Sequence, residues 1–360
     1  MTEMSRRISP ARRGEAPASD LPASDLPASG PPPVPGPGPE HVPPPPRLNV
    51  AAVRLGALGL ALVLALTITM VGLFVGGPPS VEELRAQAGV ENWSVLPIGV
   101  KDDQPGTAFR DEAGIWSGFD IDIAYMIAED LGFRRDEVRF YGMESEDRVR
   151  MQATDGKGDR VPVKMVIASY SITAAREATA GVTFSAPYLF TEQSVMTLKD
   201  HRRVSALEDL AGQKVCTLST STSEAAPQRA KAIVLRRNRV SECFADLRAK
   251  EVDAVTTDAA ILAGYMTKYP GEFAHWDLGL DTTEAWGVNV GENVALKKLV
   301  DLTLYRSLKD PADDRWEVAY ERNLQSEAVA NGRTPIAVAQ QPDVPKPDVR
   351  ELPWERLVSL

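Results

Sequence analysis

Residues 55–75 run for twenty-one positions without a charged side chain, rich in Leu, Val and Ala, with Arg47 and Arg54 just before them. A helix rises about 1.5 Å per residue, so a run of this length crosses about 30 Å of hydrocarbon. A buried helix of a soluble protein and a cleaved signal peptide are the rival readings. The length of the run, the residues that precede it and the absence of an Ala-x-Ala end argue against cleavage. No Cys lies near its end, which excludes a lipoprotein anchor. Arg47 and Arg54 outweigh Arg85 around the span, so the positive-inside rule places the N-terminus in the cytoplasm and the rest outside. The chain is therefore expected to hold a tail at 1–47, a single transmembrane helix at 48–77, a linker at 78–92, a folded domain at 93–325 and a second tail at 326–360.

Composition supports that division. Residues 1–47 contain 14 of the 28 prolines and no aromatic residue. Such a segment cannot bury enough surface to offset its ordering entropy, so it reads as disordered with polyproline II character. Beyond the span, Ser80 and Glu83 have capping-box spacing for a short acidic helix. From Trp93 onward the aromatic residues are spread evenly, which is where a packed core is expected to begin. The formal charge of −10 opposes a nucleic-acid surface. Three scattered His and two Cys show no metal-ligand spacing, so neither metal nor cofactor is expected.

After Trp93 short β-rich runs alternate with amphipathic ones. Strands are expected at 95–100, 138–141, 163–168, 214–218, 233–235 and 254–257. Ile123, Ile127 and Leu131 lay an apolar stripe on a helix closed by Gly132, and further helices are expected at 241–250, 258–268 and 294–309. This order implies an α/β fold with mostly parallel strands and helices on both faces. Within it, Val166-Ile167-Ala168 runs into Ser169, Ser171 and an N-cap candidate, Thr173, three residues before Arg176. Phe184 to Tyr188 then reads as a turn around Pro187. A strand meeting a helix start presents free N–H groups, and a guanidinium beside them can hold a carboxylate.

Four motifs in order carry a resemblance. They are Gln104-Pro105-Gly106, Trp116-Ser117-Gly118-Phe119-Asp120-Ile121-Asp122, Ser171-Ile172-Thr173-x-x-Arg176 with Phe184-Ser185-x-Pro187-Tyr188, and Val252-Asp253-Ala254-Val255-Thr256-Thr257-Asp258. Together they resemble the family 3 extracytoplasmic solute-binding proteins, and the last is most similar to the actinobacterial glutamate-binding branch. The resemblance implies a periplasmic-binding-protein-like type II architecture, with two α/β lobes joined by a two-strand hinge near 190–198 and 283–290. Lobe 1 would hold about 93–192 and 287–325, and lobe 2 about 193–286.

The same resemblance assigns roles. Arg176 matches the carboxylate-binding Arg, with Ser171 and Ser169 approaching the ligand through backbone and hydroxyl groups. Ser219 to Thr222 matches a loop of lobe 2, placing Ser221 and Thr222 at the site; the family usually has Gly where this chain has Thr220. Asp258 matches the acid that holds an ammonium, although its position also suits plain N-capping. Asp102 and Asp103 could face the ammonium or merely cap. Arg148 resembles the Arg that faces a side-chain carboxylate, with a solvated helix Arg as the alternative. Lys164 stands where the family usually has Asp, and 155–162 is longer and more polar than its pattern. Cys216 and Cys243, matching Cys in the glutamate-binding branch and lying outside the membrane, are expected to be bridged.

The implied function is extracytoplasmic binding of an amino acid, glutamate or aspartate first, for delivery to ABC permease subunits at the cell membrane. An amino-acid sensor reporting to a membrane or cytoplasmic partner is the alternative. Enzymatic activity ranks last, because the expected cleft contributes no His and no acid–base pair with opposed roles.

Overall fold

The computed structural model describes residues 49–74, 77–278, 283–332 and 335–351. The Pro-rich segment 1–47, Arg47, and Trp354 and Leu357, the sequence's candidates for docking the C-terminal tail on the domain, lie outside the described residues.

Val50–Phe74 forms one helix whose described side chains are exposed all round, Leu55 and Leu60 among them. It is the one helix among the described residues that is long and apolar enough to cross a membrane. Apolar side chains on every face find no partner in water, whereas lipid accepts them.

Residues from 77 onward build an α/β unit. Its main sheet runs in the order Ile233–Arg237, Lys214–Leu218, Ala254–Asp258, Phe184–Leu198, Thr283–Asn289, Met165–Ile167, Leu96–Val100, Val138–Gly142, Gln152–Thr154, Arg160–Pro162. Two parallel groups stand on either side. Leu96–Val100 pairs in parallel with Val138–Gly142 and Met165–Ile167, and Lys214–Leu218 pairs in parallel with Ile233–Arg237 and Ala254–Asp258. Between them run Phe184–Leu198 and Thr283–Asn289, antiparallel to each other and to their neighbours. Helices Phe119–Asp130 and Val294–Lys309 bury apolar faces on the first half, and Val240–Arg248 and Ala259–Lys268 on the second.

In the second half a disulfide joins buried Cys216, in Lys214–Leu218, to buried Cys243, in Val240–Arg248. Closing a 27-residue separation contributes about 3.5 kcal/mol in the chain-entropy estimate. The polar stretch 155–162 supplies the turn and second strand of the hairpin Gln152–Thr154 with Arg160–Pro162. Lys164 is on the surface, its ammonium 4.9 Å from the Trp93 ring and its N–H on Pro97 O.

Three expectations need correction. Phe184 to Tyr188 is not a turn but the start of the fifteen-residue strand Phe184–Leu198. Pro187 has no N–H to donate, and the ladder to Thr283–Asn289 shifts register beside its partner Gly287, which accommodates it. Residues 78–92 are not a free linker. Ser80 caps the helix Val81–Ala88 with the expected box, and Leu84, Ala88 and Val90 are buried in the core around Val294–Lys309.

Nor is 326–351 a free tail. Ser326–Ala330 is helical and packs on Ala259–Lys268. The following chain lies along Phe184–Leu198, with Thr191 Oγ1 donating to Ile336 O at 2.6 Å and Val338 N to Phe190 O at 2.8 Å. It then buries Ile336, Val344 and Val349 and meets the start of the unit, where Arg350 N donates to Pro79 O at 2.9 Å. These anchors are single apolar residues spaced among prolines, so they leave no helical or strand period to read.

The helix Val81–Ala88 is thus part of the core. Leu84→Ala should lower unfolding stability by about 2–5 kcal/mol in chemical denaturation. A loss below about 1 kcal/mol would show that the helix is peripheral.

Candidate functional site

The carboxyl ends of the strands in the two halves meet around one small cavity. Arg148, Ser169, Ser171 and Arg176 line it from the first half, and Ser221, Thr222 and Asp258 from the second. The sequence reading missed Gln104, Leu218, Thr257 and Ile261, which complete the lining. Gln104 stands in a quoted motif, and Ile261 follows Asp258 by one helical turn, which were the available signals.

Thr173 caps Ala174–Glu177, its Oγ1 accepting from Arg176 N at 3.2 Å. The Arg176 side chain turns back over this short helix and donates to Ser171 O and, across the cavity, to Thr220 O, both at 2.7 Å. Thr220 has φ of +59°, the left-handed region that explains why glycine is usual there. The Thr220 backbone carries that strain, and its carbonyl oxygen accepts from Arg176. Ser221 Oγ accepts from Ser223 N at 3.1 Å, which orders the next turn.

Arg148 does not begin a helix. It follows the turn Ser145–Asp147 and is 4% exposed, which excludes a solvated role. Its guanidinium donates to Ser145 O at 3.0 Å, Ser169 O at 3.2 Å and Ala168 O at 3.4 Å. Burial and the Arg176 charge push Arg148 down to about 9, and burial also lowers Arg176. Among the described residues neither guanidinium is ion-paired to a carboxylate. Nearby, buried Lys101 donates to Ser145 Oγ at 2.9 Å, and burial followed by the Arg148 charge holds it down to about 7.

Asp258 stands at the N-cap position of Ala259–Lys268, but its side chain makes no capping bond. Its Oδ2 accepts from Trp286 Nε1 at 2.6 Å instead. Burial, then the Glu284 charge, pushes it up to about 7. A neighbouring cation would reverse that shift by favouring the carboxylate.

Asp102 and Asp103 are the two anticipated residues that the cavity does not include. Asp102 pairs with Arg239 at 2.6 Å, and Asp103 Oδ2 accepts from Ser241 N at 2.9 Å. Both therefore tie the first half to the start of Val240–Arg248 at the cleft edge. Tyr265 OH donates to Asp103 O at 2.6 Å beside them. Gly264 permits this approach, since a Cβ there would lie 1.8 Å from Pro105 O.

A family model for bacterial extracellular solute-binding proteins, family 3, matches residues 96–304, which include the whole cavity. The chain belongs to this family. It is 33% identical over 252 residues to the glutamate-binding protein GluB of Corynebacterium glutamicum, covering 66% of this chain and 79% of that protein. It is 29% identical over 250 residues to the ABC transporter glutamine-binding protein GlnH of Bacillus subtilis, covering 67% and 85%. Among solved structures, an ancestral arginine-binding protein bound to glutamine superposes with a TM-score of 0.55 at 30% identity, over 64% of this chain and 97% of that one. This family member is an amino-acid-binding type of α/β protein preceded by a candidate membrane helix.

Because Asp258 holds its proton more tightly folded than unfolded, it stabilises the ligand-free domain at acid pH. That contribution is complete below about pH 4 and falls as pH rises towards about 7. Asp258→Asn should remove the slope, so its stability relative to the unsubstituted protein should rise across that window by at most about 1.4 kcal/mol per unit. Parallel pH profiles of thermal unfolding would show that Asp258 ionises normally.

Proposed function

We propose that the domain binds an acidic amino acid outside the membrane, glutamate first and aspartate second, and delivers it to ABC permease subunits. The observation that carries this reading is the pair of guanidiniums, buried Arg148 and half-buried Arg176, unpaired with any carboxylate among the described residues and facing one acid, Asp258, across a small cavity. An amino acid with a side-chain carboxylate matches that charge pattern. Its α-carboxylate sits on Arg176, its ammonium on Asp258 and its second carboxylate on Arg148. Desolvating a charge without a partner costs several kcal/mol, so each of the three protein charges favours a ligand that neutralises it. Ser169, Ser171, Ser221 and Thr222 supply the shorter polar contacts. The likeness to a glutamate-binding and a glutamine-binding protein supports an amino acid as ligand.

Glutamine keeps the shape of glutamate but turns an amino group towards Arg148. Titration calorimetry should give glutamate about thirtyfold the affinity of glutamine, the equivalent of ~2 kcal/mol. Arg176→Ala and Asp258→Asn should each weaken either ligand by more than about tenfold. Arg148→Ala should depress glutamate binding far more than glutamine binding. Equal losses would make Arg148 structural, and tighter glutamine binding by the unsubstituted protein would sink the acidic assignment.

The tether is a single retained span with the N-terminus in the cytoplasm, supported by Val50–Phe74 and by Arg54 at its start. Protease added to intact cells should remove the α/β domain and leave an N-terminal tag protected. Digestion of the tag with survival of the domain would reverse the orientation.

A further inference from the structure

Both cavity guanidiniums stack on one aromatic ring. Arg148 Cζ lies 4.5 Å and Arg176 Cζ 4.7 Å from the centroid of Tyr170, which is itself 4% exposed and does not line the cavity. A second ring and the backbone help to hold Tyr170 in place. It packs edge-on against Phe184 at 4.9 Å, and Tyr170 O accepts from Gly287 N at 3.0 Å. The preceding residue is held as firmly. Buried Asp120 accepts from Ser169 N at 2.9 Å and from Tyr188 OH at 2.9 Å, keeping Ser169 at φ of +46° with its carbonyl on Arg148.

Two like charges in a desolvated pocket repel, and carbonyl acceptors alone leave each long side chain free to swing away from the other. The face of a π-system attracts a cation at a defined distance, most strongly when water is excluded. A ring that both guanidiniums share therefore sets where each one can rest. We propose that Tyr170 is a positioning residue that fixes the separation of the Arg148 and Arg176 guanidiniums, and thereby the spacing of the two carboxylates that a ligand can present to them. The inference rests on the acidic-ligand reading above and adds a chain-length rule to it. Aspartate, one methylene shorter than glutamate, reaches both cations only if one leaves the ring. The attraction comes from the ring face, so the phenolic hydroxyl is dispensable.

The test is calorimetry of the full-length protein in detergent with glutamate, aspartate and glutamine, using Tyr170→Phe, Tyr170→Leu and Tyr170→Met. Tyr170→Phe should keep all three affinities within about threefold. Tyr170→Leu should lose glutamate by more than about tenfold, lose glutamine much less, and narrow the glutamate-to-aspartate ratio. Misfolding would lower all three ligands together, and Tyr170→Met, which is unbranched, then takes its place. A crystal structure of the apolar variant should show Arg148 or Arg176 displaced from its carbonyl acceptors. Unchanged ligand ratios with undisplaced guanidiniums, or a loss in Tyr170→Phe equal to that in Tyr170→Leu, would overturn the proposal. A preference of the unsubstituted protein for glutamine would instead refute the acidic-ligand reading, while the guanidinium positions would still decide the role of Tyr170.

Discussion

The strand Phe184–Leu198 is the constraint on which the structure depends. Its first part pairs with Thr283–Asn289, its later part with Ala254–Asp258 and Phe273–Trp276, so one extended segment belongs to both halves of the sheet. A strand has no side-chain core of its own and is held by the ladders on either edge. Its two neighbours carry Asp258 and Trp286, and the 2.6 Å bond between them closes over the strand at the cavity. The chain from 336 to 338 adds a third contact at Phe190 and Thr191. Any movement of one half against the other must pass through this strand and its neighbours, because they are the paired backbone that joins the two parallel groups.

Electrostatics at the cavity follow from burial more than from pairing. Arg148, Lys101, Asp120 and Asp258 are each buried, and burial is the largest cause of the shift in every one. The protein meets the cost with neutral acceptors and donors: carbonyl oxygens for Arg148, an indole for Asp258, a phenol and a backbone N–H for Asp120. Neutral partners satisfy hydrogen bonds without cancelling charge, so the cavity keeps a field that a charged ligand can complete. Where neutralisation serves to hold the halves together, the chain uses a direct ion pair, Asp102 with Arg239. The same residue type thus does different work on either side of the cleft edge.

The departures from family pattern have local explanations. Lys164 stacks on Trp93 at the surface, away from the cavity, and 155–162 forms a hairpin at the end of the sheet. Thr220 adopts a left-handed backbone that costs a non-glycine residue about 1–2 kcal/mol. Its carbonyl is one of the two acceptors that hold Arg176, so the strained conformation serves the cavity geometry.

By itself the sequence determined the long apolar helix and the alternation of strands and helices, while the seven anticipated residues of the cavity face were legible only through resemblance to the family. The first two are written as local patterns, an uncharged run and a periodicity of apolar residues. Tertiary structure alone decided the remainder. Asp102 and Asp103 sit at the expected loop, yet the approach of Val240–Arg248 turns them to another partner. Phe184 to Tyr188 reads as a turn because Pro187 breaks the local pattern, and only the register shift opposite Gly287 makes it strand. Residues 78–92 and 335–351 look like tails because their buried anchors are few and irregularly spaced, and only the surface of Val294–Lys309 and the shared strand give them something to bury against. Contacts between residues far apart in the chain leave no period in either segment, which is why packing, and not pattern, showed that both belong to the folded unit.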